Sequence, residues 1–431
     1  MSFIFKNIKE RFGWCLYDWA NSAFATTVLA AILPVYFAGT IVPEGGIALS
    51  LMGYNGYVSA TSLWGYANGF TSLLILISAP VLGSIADQSN RKKSFLKIFC
   101  YCGSFLTLLF FFSTPGDILY TLILFCLAHY CFVSGNVFYD AFLPFISKGK
   151  EMDRLSGQGY AFGYLGGGLL LAFNVIFISY SLRTSSLDEA TAIKLSLVSA
   201  GLWWGLFGSI SFALFKERDP LMFRHPGILK SAIIGWRRVW KTTLSIARQR
   251  NVLIFLIAYM VYNDGIQTVI KMASIYGKDE LKLSTGTLLG ALLMVQLIGI
   301  IGALLMSAVA QKVGTKRTIM GGLTAWFGLT IFAYRINSSL EYWLMALVVG
   351  FILGGTQALS RSFYGRLIPR DQAAEFFGYF SVFGKFSAIW GPIIFAVLSQ
   401  IFGTSRISIL SLALFFLLGW ALLFFVREDM P

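Results

Sequence analysis

Three charged residues lie in the middle of long apolar stretches of the sequence, where charge is rare. They are Asp264, Arg361 and Lys385. A charged side chain at the centre of a membrane helix costs about 2.5–3.5 kcal/mol, so such residues usually face a partner or a water-filled cavity. A carboxylate whose surroundings change from dry to wet can bind and release a proton. We therefore expect Asp264 to bind a proton, with Arg361 or Lys385 as its charge partner.

Gln267 follows Asp264 by three residues, which puts both on one face of a helix. Some of the polar residues in apolar stretches also have a purely structural interpretation. The alternative role for Asp264 is to pair with Arg361 and hold the C-terminal half of the chain together. A histidine in the fourth apolar stretch, His129, is expected to be a hydrogen-bonded packing residue rather than a proton relay. The remaining charges lie nearer the ends of apolar stretches: Asp18, Asp140 and Lys271.

The sequence contains no pattern typical of an enzyme or of a cofactor site. It shows no nucleophile with a neighbouring base, no glycine-rich phosphate loop with a lysine, and no cluster with metal-ligand spacing. The five cysteines fall inside or beside apolar runs, as small packing residues do. We therefore expect a protein that is not an enzyme and that needs neither a cofactor nor a metal.

The composition indicates a membrane protein. Hydrophobic residues make up 57% of the 431 residues and charged residues 13%, against about 25% charged in soluble domains. The net charge of +14 comes from short basic clusters between apolar stretches, which is a membrane topology signal rather than a nucleic-acid surface. Twelve stretches are long enough to span a bilayer as helices: residues 13–38, 60–86, 94–113, 118–145, 157–180, 194–215, 252–276, 286–310, 316–335, 340–365, 373–399 and 405–426.

The charge distribution and one long hydrophilic segment set the predicted organisation. With both termini in the cytoplasm, most lysines and arginines fall on the cytoplasmic side. Residues 216–251 form the hydrophilic segment and separate a six-helix bundle at 1–215 from a second at 252–431. Within that linker, residues 227–250 alternate apolar and basic positions, which predicts an amphipathic helix at the membrane surface. The Gly391-Pro392 step predicts a kink in the eleventh helix.

The two halves of the chain repeat one another. The segment from Gly83 to Lys93 after the second helix matches the segment from Ser307 to Arg317 after the eighth, and Val137–Pro144 matches Ser362–Pro369 at nearly the same spacing. The halves are therefore related bundles in parallel orientation. Asp87, Arg91 and Asp140 have no charged counterpart in the second half, where the matching residues are Gln311, Thr315 and Gly365. Joint loss of three charges is what a coupled network predicts.

These motifs resemble those of a known transporter superfamily. Gly83, Asp87, Arg91 and Lys92 are similar to the signature loop of the major facilitator superfamily, although Gln88 and Asn90 depart from it. The segments Tyr17–Phe24, Tyr262–Thr268 and Gly354–Ser362 look like those of its vacuole-effluxer branch, which includes an autophagy-related amino-acid exporter. The resemblance implies an all-α fold of twelve transmembrane helices in two pseudo-symmetric bundles, working by alternating access.

The resemblance also implies where the functional residues lie. In this superfamily the first and fourth helices of each half line the cavity, so the residues expected to face solute are Asn21, Asp264, Gln267, Gln357 and Arg361. It places Asp87 against the start of the eleventh helix, near Gln372 and Ala373, with Arg91 reaching Asp140. We therefore expect Asp87, Arg91 and Asp140 to form a cytoplasmic gate; the alternative is a topology signal with a solvated loop.

Together these observations predict a secondary active transporter of a small solute, such as an amino acid or a similar amphipathic metabolite, coupled to a proton or another ion. The expected location is the cytoplasmic (inner) membrane, as a monomer in contact with lipid and without nucleic acid. One alternative is an exporter of lipids or hydrophobic compounds, suggested by the 16% aromatic content. An intramembrane enzyme or receptor is the alternative from another class.

Overall fold

A computed structural model describes residues 2–43, 46–51, 54–89, 91–214 and 239–428. Helices occupy all twelve predicted stretches, which confirms the all-α prediction. They are α1 (Ser2–Ala23, continued by Phe24–Ala31, Ile32–Tyr36 and Phe37–Ile41), α2 (Ala60–Ser89), α3 (Lys92–Leu108), α4 (Ile118–Ala141), α5 (Glu151–Thr184), α6 (Glu189–Leu214), α7 (Arg250–Asp279), α8 (Thr285–Val313), α9 (Thr315–Arg335), α10 (Ser339–Leu367), α11 (Ala373–Phe386 and Trp390–Phe402) and α12 (Ser405–Phe424).

Short elements complete the helices. A 3₁₀ turn, Leu109–Phe112, extends α3, a one-turn helix, Leu143–Ile146, follows α4, and a 3₁₀ turn, Arg370–Gln372, leads into α11. In the part of the chain that the structure describes, eleven helical spans are long and apolar enough to cross a membrane. Only α9 falls outside that set, and it carries Lys316, Arg317 and Arg335 near its ends.

The segment between α1 and α2 differs from the prediction, which had no strands. Strands β1 (Ile47–Leu51) and β2 (Tyr54–Val58) form an antiparallel hairpin in which Ile47 faces Val58 and Leu51 faces Tyr54. The C-terminal part of α1 is also unusual, because Phe24–Ala31 and Phe37–Ile41 are π-helical. Such wide turns are rare and occur mostly as local features of longer helices.

The predicted kink of α11 is an interruption of three residues, 387–389, that form a turn. The first segment ends at Phe386 and the second begins at Trp390. Pro392 has no N–H, and its ring clashes with the carbonyl four residues earlier, that of Ala388. The helix therefore breaks just before the Gly391-Pro392 step.

The chain packs into two compact units. The first comprises Met1–Ser78, Arg91–Tyr139 and Leu165–Arg218, and the second comprises Ala79–Asn90, Asp140–Tyr164 and Asp219–Pro431. The second unit thus combines the C-terminal helices with the end of α2, the end of α4 and the start of α5. The division at residues 216–251 into two six-helix bundles stays a prediction.

Glycines allow close packing inside each of the two units. Trp204 of α6 is fully buried, and a Cβ on Gly103 of α3 would lie 2.3 Å from its ring. In the second unit, a Cβ on Gly302 of α8 would lie 1.9 Å from the Phe351 carbonyl oxygen of α10. Small residues of this kind allow the backbones of membrane helices to approach.

Part of the predicted amphipathic helix lies outside the described residues, namely 227–238. Residues 239–248 are helical, with Trp240 and Leu244 exposed on one side and Ile246 buried on the other. The Tyr379 hydroxyl of α11 donates to the Val239 carbonyl at 2.9 Å. This end of the linker is therefore attached to α11.

Candidate functional site

The polar residues of the second unit converge where the start of α5 meets the end of α10. The first turn of α5 carries Glu151 and Asp153, as the positive end of a helix dipole favours. Asp153, Ser156 and Tyr160 recur every three or four residues, so they share one face of α5. The facing residues of α10 are Arg361, Ser362 and Arg366. Two polar faces are thus brought together at helix ends.

Asp153 is a fully buried carboxylate with three side-chain donors. The Ser362 hydroxyl donates to Oδ1 at 2.5 Å, the Thr315 hydroxyl to Oδ2 at 2.7 Å, and the Arg366 guanidinium lies 3.3 Å from Oδ1. Arg366 also donates to the Thr315 hydroxyl. A buried charge requires such partners, so Asp153 links α5 to the start of α9 and the end of α10.

Sequence reasoning missed Asp153. The fifth predicted stretch begins at residue 157, whereas α5 begins at Glu151, so the prediction leaves Asp153 in the loop before the helix. The acidic first turn was the signal that would have extended the helix.

Arg361 is almost fully buried and uses its guanidinium on protein partners. Its Nη1 lies 3.2 Å from Asp140 Oδ1, its Nε donates to the Ser156 hydroxyl at 2.9 Å, and its Nη2 donates to the Ser156 carbonyl at 3.0 Å. The Tyr160 ring lies beneath it, 4.4 Å from Cζ. The ion pair that the structure shows for Arg361 therefore joins it to Asp140, whereas the sequence suggested Asp264. The sequence indicates how deep a residue lies in the membrane, but not which neighbouring helix its side chain faces.

Asp87 lies at the start of α11, as predicted. Its two carboxylate oxygens accept hydrogen bonds from the backbone amides of Ala374 and Glu375, at 3.2 and 2.8 Å, just beyond the two residues predicted. First-turn amides lack helical partners and favour a negative charge. A Cβ on Gly83 would lie only 2.2 Å from the Ala374 carbonyl oxygen, so this approach requires glycine.

Arg91, the third member of the predicted gate, immediately precedes α3 and has an exposed side chain. Its pairing with Asp140 stays a prediction.

A second polar group joins the middle of α7 to the interruption of α11. Asp264 is buried, and its Oδ1 accepts a hydrogen bond from the Gly391 amide at 2.9 Å. The Asn263 side-chain amide donates to the Ser387 hydroxyl at 2.5 Å, and Lys271 Nζ donates to the Ala388 carbonyl at 3.1 Å. Half-buried positions nearby on these helices are Gln267 and Lys385. On α10, Gln357 is also half-buried, one turn before Arg361.

In the first unit, α1 and α4 are joined by polar pairs. The Asn21 side-chain amide donates to Asn136 Oδ1 at 2.7 Å, and the Tyr139 hydroxyl donates to Asp18 Oδ2 at 2.8 Å. Sequence reasoning did not select Asn136, although the internal repeat makes it the counterpart of Arg361. His129 packs beside Phe125, with ring centroids 5.4 Å apart.

An ion pair fastens the opposite end of α7. Glu280 accepts hydrogen bonds from the Ser405 amide at 3.0 Å, from the Thr404 hydroxyl at 3.1 Å, and from Arg406 Nε at 3.1 Å. Arg406 also donates to the Tyr334 carbonyl at 2.9 Å. Partial burial raises the pKa of the Glu280 carboxyl. The hydrogen bonds and the charge of Arg406 lower it by more, so the pKa lies below its ordinary value of 4.5.

The described residues hold no group of three or more His, Cys, Asp or Glu side chains placed to bind a metal ion. What they do hold are buried carboxylates and guanidinium groups shared between helix ends. Such intramembrane charges are typical of solute and proton pathways.

The fold is similar to those of solved transporters. The MFS transporter FucP, in an outward conformation, matches with a TM-score of 0.71 at 12% identity, covering 98% of this chain and 100% of FucP. The proton:xylose symporter XylE matches with a TM-score of 0.69 at 14% identity, covering 99% of this chain and 96% of XylE. The protein thus has the same twelve-helix fold as these major facilitator superfamily proteins.

Sequence comparison gives the family. The MFS-type transporter YxiO of Bacillus subtilis is 31% identical over 98% of this chain and 95% of YxiO. Autophagy-related protein 22 of Pichia angusta is 24% identical over 89% of this chain and 86% of that protein. The family model of the Atg22-like vacuole effluxers matches residues 6–430. The chain belongs to the Atg22-like vacuole effluxer family, and it is a multi-pass membrane transporter.

Proposed function

We propose that this protein is a secondary active transporter that exports a small zwitterionic or amphipathic solute, such as an amino acid, by proton-coupled alternating access. It acts in the cytoplasmic membrane, with both termini in the cytoplasm. The family's description as effluxers supports the direction. The observation that carries the proposal is the buried set of ion pairs and hydrogen bonds that the end of α10 makes with the end of α4 and the start of α5.

Helix order puts all the contacting ends on one side of the membrane. If every helix spans the membrane, even-numbered helices end on the side where odd-numbered helices start. That side therefore holds the ends of α2, α4 and α10 and the starts of α5, α9 and α11. With the proposed orientation that side is cytoplasmic. Asp140, Asp153, Arg361 and Arg366 then form a gate whose contacts hold when the path to the cytoplasm is closed.

Asp87 and Arg91 belong to the same proposed gate. The bonds from Asp87 to the start of α11 depend on its charge and on the helix dipole, so they can be broken and remade at modest energy. A coupling energy of about 1–3 kcal/mol is typical of such a two-state element.

The proposed solute site comprises Asn21, Asp264, Gln267, Gln357 and Arg361, with Asp264, Arg361 and Lys385 taking part in proton coupling. In the structure Arg361 binds Asp140 and Ser156. We propose that opening of the gate releases this guanidinium, which then binds the solute carboxylate through two hydrogen bonds. Asp264 supplies the proton site.

The test is uptake into proteoliposomes that contain the purified protein. A mixture of amino acids and other small metabolites is supplied under an imposed pH gradient, and the accumulated solutes are identified by mass spectrometry. We expect a zwitterionic solute to accumulate, and a protonophore to abolish that accumulation. Transfer of lipids or apolar dyes without accumulation of polar solutes would instead support the hydrophobic-compound exporter.

Asp264→Asn tests the coupling, with Asp371→Asn, an exposed carboxylate before α11, as the matched control. The asparagine cannot take up a proton, so we expect gradient-driven uptake to stop while exchange of identical solutes continues. Concentrative uptake that is undiminished in Asp264→Asn would end the proposal of proton coupling at this residue.

A further inference from the structure

The interruption of α11 leaves backbone groups without helical partners about halfway along the span Arg370–Phe402. Pro392 cannot donate to the Ala388 carbonyl, and the amides of the first turn after Ile389 have lost the carbonyls of the preceding turn. In the hydrocarbon region, each unsatisfied backbone group costs several kcal/mol. The break therefore needs partners from another helix.

Helix α7 supplies a partner of matching charge to each side of the break. Lys271 Nζ donates to the Ala388 carbonyl at 3.1 Å, and Asp264 Oδ1 accepts from the Gly391 amide at 2.9 Å. Asp264 and Lys271 are seven residues apart, so they lie two turns apart on one face of α7. The cation meets the C-terminal end of the first segment and the anion meets the N-terminal end of the second, as the helix dipoles favour.

The approach of the two helices is specific to glycine at position 391. A Cβ there would lie 2.0 Å from the Thr268 hydroxyl oxygen and 2.7 Å from Asp264 Oδ1. The Asn263 side chain adds a third link, to the Ser387 hydroxyl. The absence of a side chain at position 391 thus allows the Gly391 amide to reach the Asp264 carboxylate.

Two lysines interact electrostatically at this contact. Lys271 interacts electrostatically with Asp264, and Lys385 of the first α11 segment does so with Lys271. Helix α12 meets Gly265, next to Asp264, with apolar groups, namely the ring of Phe416 and the Cβ of Phe415. Helix α10 contributes a neutral group, the Ser360 hydroxyl, which bonds the Tyr262 hydroxyl.

We propose that Asp264 and Lys271 make the break in α11 a proton-operated joint. This inference rests on the proton coupling proposed above and gives it a mechanism. A hydronium ion of the aqueous phase transfers its proton to the Asp264 carboxylate, which leaves a neutral carboxyl group and a water molecule. Because a hydrogen bond to a charged acceptor is about twice as strong as one to a neutral acceptor, the link to the Gly391 amide weakens. The second segment of α11 then moves independently of α7, with Lys271 as a positioning residue on the other side of the break.

Hydrogen exchange of the purified protein in nanodiscs tests the joint without any solute. The measured quantity is the protection factor of the backbone amides of residues 387–391 and 393, because a protection factor corrects for the chemical pH dependence of exchange. It is measured from about pH 4 to 8, a range that spans carboxyl titration in proteins. We expect protection in the wild type to fall about tenfold on the acid side, as the weakening of one charge-assisted hydrogen bond predicts.

Three variants separate the joint from a merely structural contact. Asp264→Asn should show low protection at every pH, and Asp264→Glu should restore the pH response. Glu341→Gln removes a carboxylate that caps α10 in an exposed position and should respond like the wild type. A flat wild-type profile, or an unchanged pH response in Asp264→Asn, would overturn the joint. Since no solute is present, that failure would leave the uptake experiment to decide the proposed function separately.

Discussion

The substitution Asp153→Asn measures how strongly the contacts between α5 and α10 hold. Asparagine keeps the shape of the side chain and one acceptor oxygen, and both hydroxyl partners can rotate to suit it. Arg366 cannot adapt in this way. Its side chain is 9% exposed and that of Asp153 is 0% exposed, so the guanidinium loses its counter-charge in a buried position.

The expected cost follows from these contacts. Removal of one partner of a buried ion pair costs about 3–5 kcal/mol, and loss of a single hydrogen bond to a charged group about 1.5–3 kcal/mol. Arg366 keeps the Thr315 hydroxyl, so the lower range applies. About 2 kcal/mol corresponds to a roughly 30-fold larger population in which the contact is broken.

The assay uses a cysteine at position 358 in a chain whose five native cysteines have been replaced. Ala358 is fully buried and its carbonyl accepts from the Ser156 hydroxyl at 2.7 Å, so a membrane-impermeant maleimide reaches this position only when the contact is broken. The maleimide should label position 358 roughly 30-fold faster in Asp153→Asn than in the wild type, in proportion to the larger broken population. The labelling rate in Asp371→Asn should match that of the wild type. A rate within about twofold of wild type, the range of ordinary surface substitutions, would refute the reasoning.

Two further predictions concern packing and pH. Gly83→Ala should lower thermal stability by about 1–3 kcal/mol, because the new methyl group meets the backbone of Ala374. Gly69→Ala, on the same helix with open space around it, should not; equal effects in thermal unfolding would contradict this account of Gly83. The pKa of Glu280 is lowered in the folded protein, so its stabilisation is present at neutral pH and is lost as pH falls below 4.5 toward the lowered pKa. The difference in unfolding temperature between wild type and Glu280→Gln should therefore shrink on acidification, and a constant difference would disprove it.

The sequence predicted the helices well because a span requires an uninterrupted apolar length, which is a local property. It predicted Asp87 at the start of α11 because the surrounding loop resembles a known motif. It did not predict the burial of Asp153, since the partners that compensate that charge, Ser362 and Thr315, are remote in sequence. It likewise suggested Arg361 or Lys385 as the charge partner of Asp264, because a sequence indicates how deep a residue lies in the membrane but not which neighbouring helix it faces.

The hairpin between α1 and α2 shows a further limit. Its ten paired residues contain glycine and polar residues among apolar ones, and strand pairing is decided by the partner strand. The Gly391-Pro392 step predicts a kink in α11, but it does not predict that Asp264 and Lys271 bond the backbone groups on either side of it. A sequence indicates how deep these two residues lie, but not which backbone groups they contact.

The central claim is that the contacts between α5 and α10 must break in each transport cycle. Cysteines at positions 156 and 358, whose present contact is 2.7 Å between the Ser156 hydroxyl and the Ala358 carbonyl, can be joined by a short reducible cross-linker. Uptake by proteoliposomes is then measured before cross-linking, after cross-linking and after reduction. We expect cross-linking to stop uptake and reduction to restore it. Full uptake by the cross-linked protein would contradict the account.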